Sequence, residues 1–437
     1  MSNKFTCKEV RLFVIINKIW YNIYVVVTLK KLNIKQKNWI LLLISIFLIC
    51  SFSVLIIIGA FSNKLIIEST RFICIILLIL ATILGVVATY NIIKNKRRRL
   101  FKTWQNRLFS ILIGLYAVGC CSFLFILYGP FPNFREWLIT TAMATMNHQH
   151  YCKWFYNDEI IQKILDNNIT IEVEGETDPS LIDKDLVLDN YVDHYEKELI
   201  EHEEGELYKI VKFKLNGQQA YMAAVYDASR ITVGISKFYP DRGQYVSTMA
   251  KAYKAPLAIN GGGFTDPNGN STGGTPMGVT IANGKVITGE SSGMNEGGVI
   301  GFTNNGILVL KKNTNTTELL NMGVRDAVTM GPFLIVNGEK SKFKGNGGWG
   351  VAARTAIGQR KDGIVLFLVV DSNTTRTKGA TIVDLANIME KYGCINAANL
   401  DGGTSSVMSV DGEIINDPID STGAHKTRGV PTIFMVK

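Results

Sequence analysis

Three stretches in the first third of the chain contain no charged residue: residues 39–61, 72–90 and 108–128. A helix needs about 20 consecutive apolar residues to cross the hydrocarbon core of a bilayer. A helix packed in a water-facing domain normally keeps a polar face, which these runs lack. Three of them in succession therefore predict three transmembrane helices, with the lipid bilayer as an expected partner.

Orientation follows from the basic residues, because short cytoplasmic loops carry the Lys and Arg excess. Lys30, Lys31, Lys35 and Lys37 precede the first run, and Lys94, Lys96, Arg97, Arg98, Arg99, Lys102 and Arg107 stand between the second and third. Both segments are expected on the cytoplasmic side, so the third span leads outward and residues after Gly129 are extracytoplasmic. The formal net charge of +9 is then mostly topological, and no nucleic-acid partner is expected. Residues 1–38 read as a cytoplasmic or interfacial segment: the apolar stretch 13–28 is interrupted by Asn17, Lys18 and Asn22 and suits an interfacial helix better than a fourth span. No cleavable signal peptide is visible.

Only Cys152 and Cys394 lie beyond the membrane region, and neither belongs to a CxxC or Cys/His cluster. They are expected as solitary buried thiols rather than a zinc site. His148 and His150, two apart, point to different faces of a helix and read as a surface pair. Residues 129–205 form a helical and acidic stem, with 132–166 helical. The acidic run at residues 201–206 reads as a solvated connector.

From residue 206 the texture changes. Asn-Gly or Asp-Gly pairs recur at 216–217, 283–284, 305–306, 337–338, 362–363 and 411–412, each flanked by Val, Ile or Leu runs. Such pairs supply the positive φ angles of tight hairpin turns. Two amphipathic helices are expected, over 245–253 and over 380–392, the latter stopped by Gly393. The fold class is therefore α+β: a three-helix membrane anchor followed, over 206–437, by an extracytoplasmic domain of antiparallel hairpins with a few helices.

Within this domain several polar residues stand at strand ends. Asn260 closes an apolar run and is followed by Gly261 and Gly262; Asp371 ends the strand after Arg354; and Asp401 ends another, followed by Gly402, Gly403, Thr404 and Ser405. Glycines there let backbone approach a ligand closely. Arg354 offers a fork for phosphate or carboxylate. Taken singly, each has an equal reading as a turn former or a core ion pair. Neither a P-loop nor a dinucleotide fingerprint is present. The segment 266–271 offers alternating oxygens like the start of a calcium loop, but Met277 occupies the place of the bidentate Glu; no cofactor or metal is expected.

The set NGGGF, GPFLIVNGE, RTAIGQ, NLDGGTSS and the late RGVP resembles the phosphodiester glycosidase family, in order and with compatible spacing from about Tyr221 onward. The resemblance implies hydrolysis of a sugar-1-phosphodiester at its glycosidic bond. Asn260, Arg354, Asp401 to Ser405 and Arg428 match family elements. Gly263 stands where many members have Phe, Thr404 where many have Gly, and Ser372-Asn373 where a Gly-Arg pair is common. The implied roles are Asp401 as nucleophile or general base with Asp371 its partner, Arg354 and Arg428 as phosphate clamp, and Asn260, Thr404 and Ser405 orienting substrate oxygens. A second class of function, a catalytically silent glycan-binding or envelope-assembly module, uses the same residues without turnover.

Overall fold

The computed structural model describes residues 126–145, 149–187, 190–265, 273–289, 297–373, 378–420 and 423–437, with 42, 46, 47 and 123 besides. The three apolar runs lie almost wholly outside these residues, as do His148 and the 266–271 segment. Among the described residues no helix is long and apolar enough to cross a membrane. The chain divides into two compact units, residues 1–130 with 153–158, and residues 131–152 with 159–437. The second contains the sheets.

A seven-stranded sheet runs in the spatial order Glu339–Lys340, Phe333–Val336, Cys394–Asn399, Arg354–Arg360, Val365–Val370, Gln218–Val225, Tyr208–Leu215. A five-stranded sheet has the order Glu413–Ile414, Met408–Val410, Leu257–Asn260, Thr432–Val436, Ile231–Ile235, and a second five-stranded sheet spans residues 280–330. The described pairings are antiparallel.

The turns follow the local chemistry. Asn216, Asn283, Asn337 and Asp411 take φ between 50° and 54°, and the glycine after each is also positive. This is the type I′ geometry whose twist matches the flanking strands. At 305–306 and 362–363 only the glycine is left-handed, so those two connections are of another type.

Alternation divides the long sheet into two faces. Tyr221, Ala223, Val225, Phe367 and Val369 point into a core shared with Leu257, Ile259, Phe434 and Phe302 of the other sheets. Ala220, Met222, Ala224, Leu366 and Leu368 point the other way, onto Ile382, Leu385, Ala386 and Met389. Those last four belong to the helix Ile382–Lys391, which begins with a Thr381/Asp384 capping box and is followed by Gly393 at φ 75°. The helix Val246–Tyr253 covers the outer face of the first five-stranded sheet. Cys152 and Cys394 are free and buried, and burial pushes their thiols up to about 11 and about 12.

The stem is more than a connector. Residues 201–206 are exposed for the most part, as a solvated run should be. The helix His194–Ile200 nevertheless docks on the long sheet, and its Glu196, 5% exposed, pairs with Arg360 at 2.6 Å while Arg360 also holds Asp362 at 3.0 Å. Further back, Thr170–Ile171 pairs with Lys342–Phe343 as a two-stranded ladder. The acidic composition concealed these contacts because each is a single long-range pair rather than a periodic pattern.

Candidate active site

The site assembles where strands of two sheets end together. The strand Leu257–Asn260 lies beside Thr432–Val436, Ile433 opposite Asn260. In the long sheet Ala356 pairs with Asn399, and the ladder continues through the Leu400 N–H to the Thr355 carbonyl (2.9 Å) and the Gly403 N–H to the Ala353 carbonyl (2.8 Å). Antiparallel register thereby sets Asp401 across from Arg354.

Asp401 is the centre of the arrangement. One carboxylate oxygen accepts from the Gly402 N–H at 3.0 Å and the other from Arg428 Nη2 at 3.0 Å. Its side chain keeps 16% of its surface accessible, so it is fixed yet reachable. Arg428 is fixed in turn: Nε donates to the Ser405 hydroxyl at 2.6 Å, and the guanidinium lies over the Phe264 ring at 4.5 Å. A planar fork engaged on two edges and one face has little freedom left. Thr427 Oγ1 donates to the Thr404 carbonyl at 3.1 Å, tying residues 427–428 along the 402–405 loop.

Arg354 is 5% exposed. Its Nε donates to the Ala380 carbonyl at 3.2 Å, and Nη2 donates to the Gly350 carbonyl at 3.0 Å and to that of Trp349. Among the described residues Nη1 makes no such bond, and it lies against Gly402, where an added Cβ would meet it at 3.5 Å. Burial brings the guanidinium down to about 10 while the charge of Asp401 opposes that shift; it stays cationic at neutral pH.

The other expected residues divide in two. Asn260 is fully buried, with Nδ2 donating to the Asp401 carbonyl at 2.6 Å and Oδ1 accepting from Thr355 Oγ1 at 2.8 Å and Val407 N at 3.2 Å. It ties three strand ends together and does not face solvent. Gly261 and Gly262 are demanded by packing: a Cβ on Gly262 would meet the Thr329 carbonyl at 2.7 Å and Val328 at 2.9 Å. Gly402 keeps the loop close to Ala353 and Arg354, while Gly403 takes φ +63° with open space around it.

Asp371 makes no hydrogen bond to Asp401, Arg354 or Arg428. Val370 is the ladder partner of Arg354, so Asp371 falls opposite Ala353 and leaves the sheet from the other face. Its carboxylate accepts from Asn416 Nδ2 at 2.8 Å and from the Asp417 N–H at 3.2 Å. Asn416 also donates to the Ser406 carbonyl at 3.0 Å. Burial, helped by the charge of Asp417 and opposed by these hydrogen bonds, holds the Asp371 carboxyl above its ordinary value.

Sequence reasoning missed Asn416, Thr355 and Phe264. Phe264, inside the NGGGF motif, and Thr355, inside RTAIGQ, each sat in a quoted motif; Asn416 carried no local signal. Among the described residues no group of three or more His, Cys, Asp or Glu side chains could hold a metal ion.

A fixed carboxylate beside two guanidiniums at converging strand ends offers both a charged acceptor and cationic donors to a ligand, and residues 253–437 match the phosphodiester glycosidase family model. The resemblance carried by the motifs is thus shown for this part of the chain. Among curated relatives, the SPbeta prophage-derived protein YomE of Bacillus subtilis is 30% identical over 182 residues, covering 40% of this chain and 27% of the relative. The bovine N-acetylglucosamine-1-phosphodiester alpha-N-acetylglucosaminidase is 34% identical over 70 residues, covering 16% and 13%. The chain thus spans well under a third of either relative. The catalytic domain of the zebrafish N-acetylglucosamine-1-phosphodiester alpha-N-acetylglucosaminidase superposes with a TM-score of 0.45 at 21% identity, covering 54% of this chain and 85% of that one.

Proposed function

We propose that the chain is a membrane-anchored, extracytoplasmic hydrolase that cleaves the glycosidic bond of a sugar-1-phosphodiester, of the N-acetylglucosamine-1-phosphodiester type, in cell-envelope glycans. The observation that carries the chemistry is the fixed Asp401 between Arg428, at 3.0 Å, and the buried, cationic Arg354. The membrane side of the proposal rests on the three uncharged runs and the basic segments that flank them.

Cleavage breaks the bond between C1 and the bridging oxygen. The bridging oxygen and its electron pair leave with the phosphate, and C1 becomes oxocarbenium-like. Asp401 stabilises that centre, either by attacking C1 to form a glycosyl ester that water then hydrolyses, regenerating the carboxylate, or by taking a proton from the water that attacks C1. The products are a free sugar and a phosphomonoester. Arg354 Nη1 is the donor available to the departing phosphate, and a cation held there before reaction stabilises the charge that develops. Asp371 and Asn260 act through the 401–406 loop, as positioning residues.

Purified full-length protein should release sugar from a chromogenic N-acetylglucosamine-1-phosphodiester. Asp401→Asn should lower kcat by roughly 10²–10⁴-fold; retention of full hydrolysis sinks the role given to Asp401. Binding without turnover by the unmodified protein favours the silent glycan-binding module instead.

A further inference from the structure

The glycine-rich segment 345–350, GNGGWG, is unexplained by the chemistry above, yet two of its carbonyls, Trp349 and Gly350, hold Arg354 Nη2. On one side Trp349 packs against the core between the long sheet and the helix over 382–391. The segment is gripped from the other side by the stem. Asn346 Nδ2 donates to Thr140 Oγ1 at 2.8 Å, and the Asn346 N–H donates to Asn168 Oδ1 at 2.9 Å. Thr170 Oγ1 donates to the Gly347 carbonyl at 2.8 Å, and the Lys344 N–H to the Ile169 carbonyl at 2.9 Å.

The fit leaves no slack. Gly350 has φ +60°, and a Cβ there would lie 2.5 Å from Thr141 Cα and Oγ1. Gly345 and Gly348 are also left-handed, and each would drive a Cβ into Asn168. Thr140 and Asn168 are 0% and 3% exposed, and both have their remaining polar atoms satisfied within the stem: Thr140 Oγ1 donates to the Glu136 carbonyl at 2.7 Å and Asn168 Nδ2 to the Ile164 carbonyl at 3.0 Å. A buried polar group with all its partners in place fixes one geometry.

From these contacts we infer that the stem aims the substrate-binding arginine: Thr140, Thr141 and Asn168 are positioning residues for Arg354, acting through the 345–350 segment. This deepens the reading of Arg354 as the phosphate-facing cation and rests on it. The unit that works is therefore the one beginning near residue 131. A fragment cut at residue 206 keeps the strand ends but loses the bonds from Thr140, Asn168 and Thr170 to the 345–350 segment.

The test uses full-length protein carrying Asn168→Ala, with Thr141→Val as an independent second variant. Both should lower kcat/KM on an N-acetylglucosamine-1-phosphodiester by roughly 10–100-fold, the scale of an ångström-sized misplacement, and weaken inhibition by inorganic phosphate in the same proportion. Turnover of an uncharged aryl glycoside, which places no phosphate on Arg354, should change less. Amide hydrogen exchange at residues 349–352 should accelerate in both variants. Faster exchange there with unchanged kcat/KM and phosphate inhibition overturns the positioning role, as does an equal loss on charged and uncharged substrates. Unchanged exchange overturns the mechanical link. If the unmodified protein turns over no sugar phosphodiester, the proposed reaction fails, and exchange still decides whether the stem holds the segment.

Discussion

Asn260 offers the sharpest separation between a structural and a ligand-binding role. Replacing it with Ala removes three hydrogen bonds in a place closed to water: those to the Asp401 carbonyl, from the Thr355 hydroxyl and from the Val407 N–H. At about 1 kcal/mol for each bond, with a further cost for buried groups left unpaired, the loss is about 3–5 kcal/mol. The compact unit has about 300 residues, for which each kcal/mol moves Tm by roughly 2–3 °C, so a fall of about 10 °C is expected. Thermal melts of the full-length protein by circular dichroism measure it. The orphaned Thr355 hydroxyl supplies an internal control, because Asn260→Ala combined with Thr355→Val should recover about 1–2 kcal/mol. A fall under about 2 °C, or no recovery in the double variant, refutes the assignment of Asn260 as a tie between strand ends.

Three further outcomes follow from the same contacts. Arg360→Ala leaves Glu196 and Asp362 buried without their cation and should cost about 3–5 kcal/mol, read as a fall in the urea midpoint; combining it with Glu196→Leu should restore part of that loss. Arg428→Lys cannot reach Ser405 and Asp401 together, so kcat/KM should fall roughly 10–100-fold in steady-state assays while Tm changes little. Asp371 has a folded-state carboxyl raised above its usual value, chiefly by burial. The native state therefore keeps a proton that the unfolded chain has released, and stability declines as pH rises from about 3.9 through the raised value. Asp371→Asn should remove that decline, so its Tm should gain on the unmodified protein between acid and neutral pH; parallel Tm curves for the two proteins contradict it.

Much of the fold was legible because its signals are local. Asn216-Gly217 and Asn337-Gly338 announce turns through backbone angles that few other residues accept. The helix over 382–391 is bounded by its own capping box and glycine. The strand-end positions of Asn260, Asp371 and Asp401 were legible, and the register sets Asp401 across from Arg354. What the sequence concealed are relations between distant residues. Asp371 and Arg354 both sit at strand ends, but side-chain parity, visible only once register is known, sends them to opposite faces. Arg428 read as a second phosphate ligand, whereas it is bonded to Asp401 and Ser405. The Asn416 link to Asp371 bridges 45 residues and leaves no pattern.

The strand Thr432–Val436 is interior to its sheet, flanked by Leu257–Asn260 and Ile231–Ile235. During translation those two partners emerge about 170 and about 200 residues before the strand that must lie between them, and such distant pairings form slowly. Gly261 and Gly262 bond to Thr432, and Arg428 enters just ahead of it, so the same late event completes both the sheet and the site. A nascent chain therefore cannot close this sheet, nor bring Arg428 to Asp401, until residues 428–436 have been made.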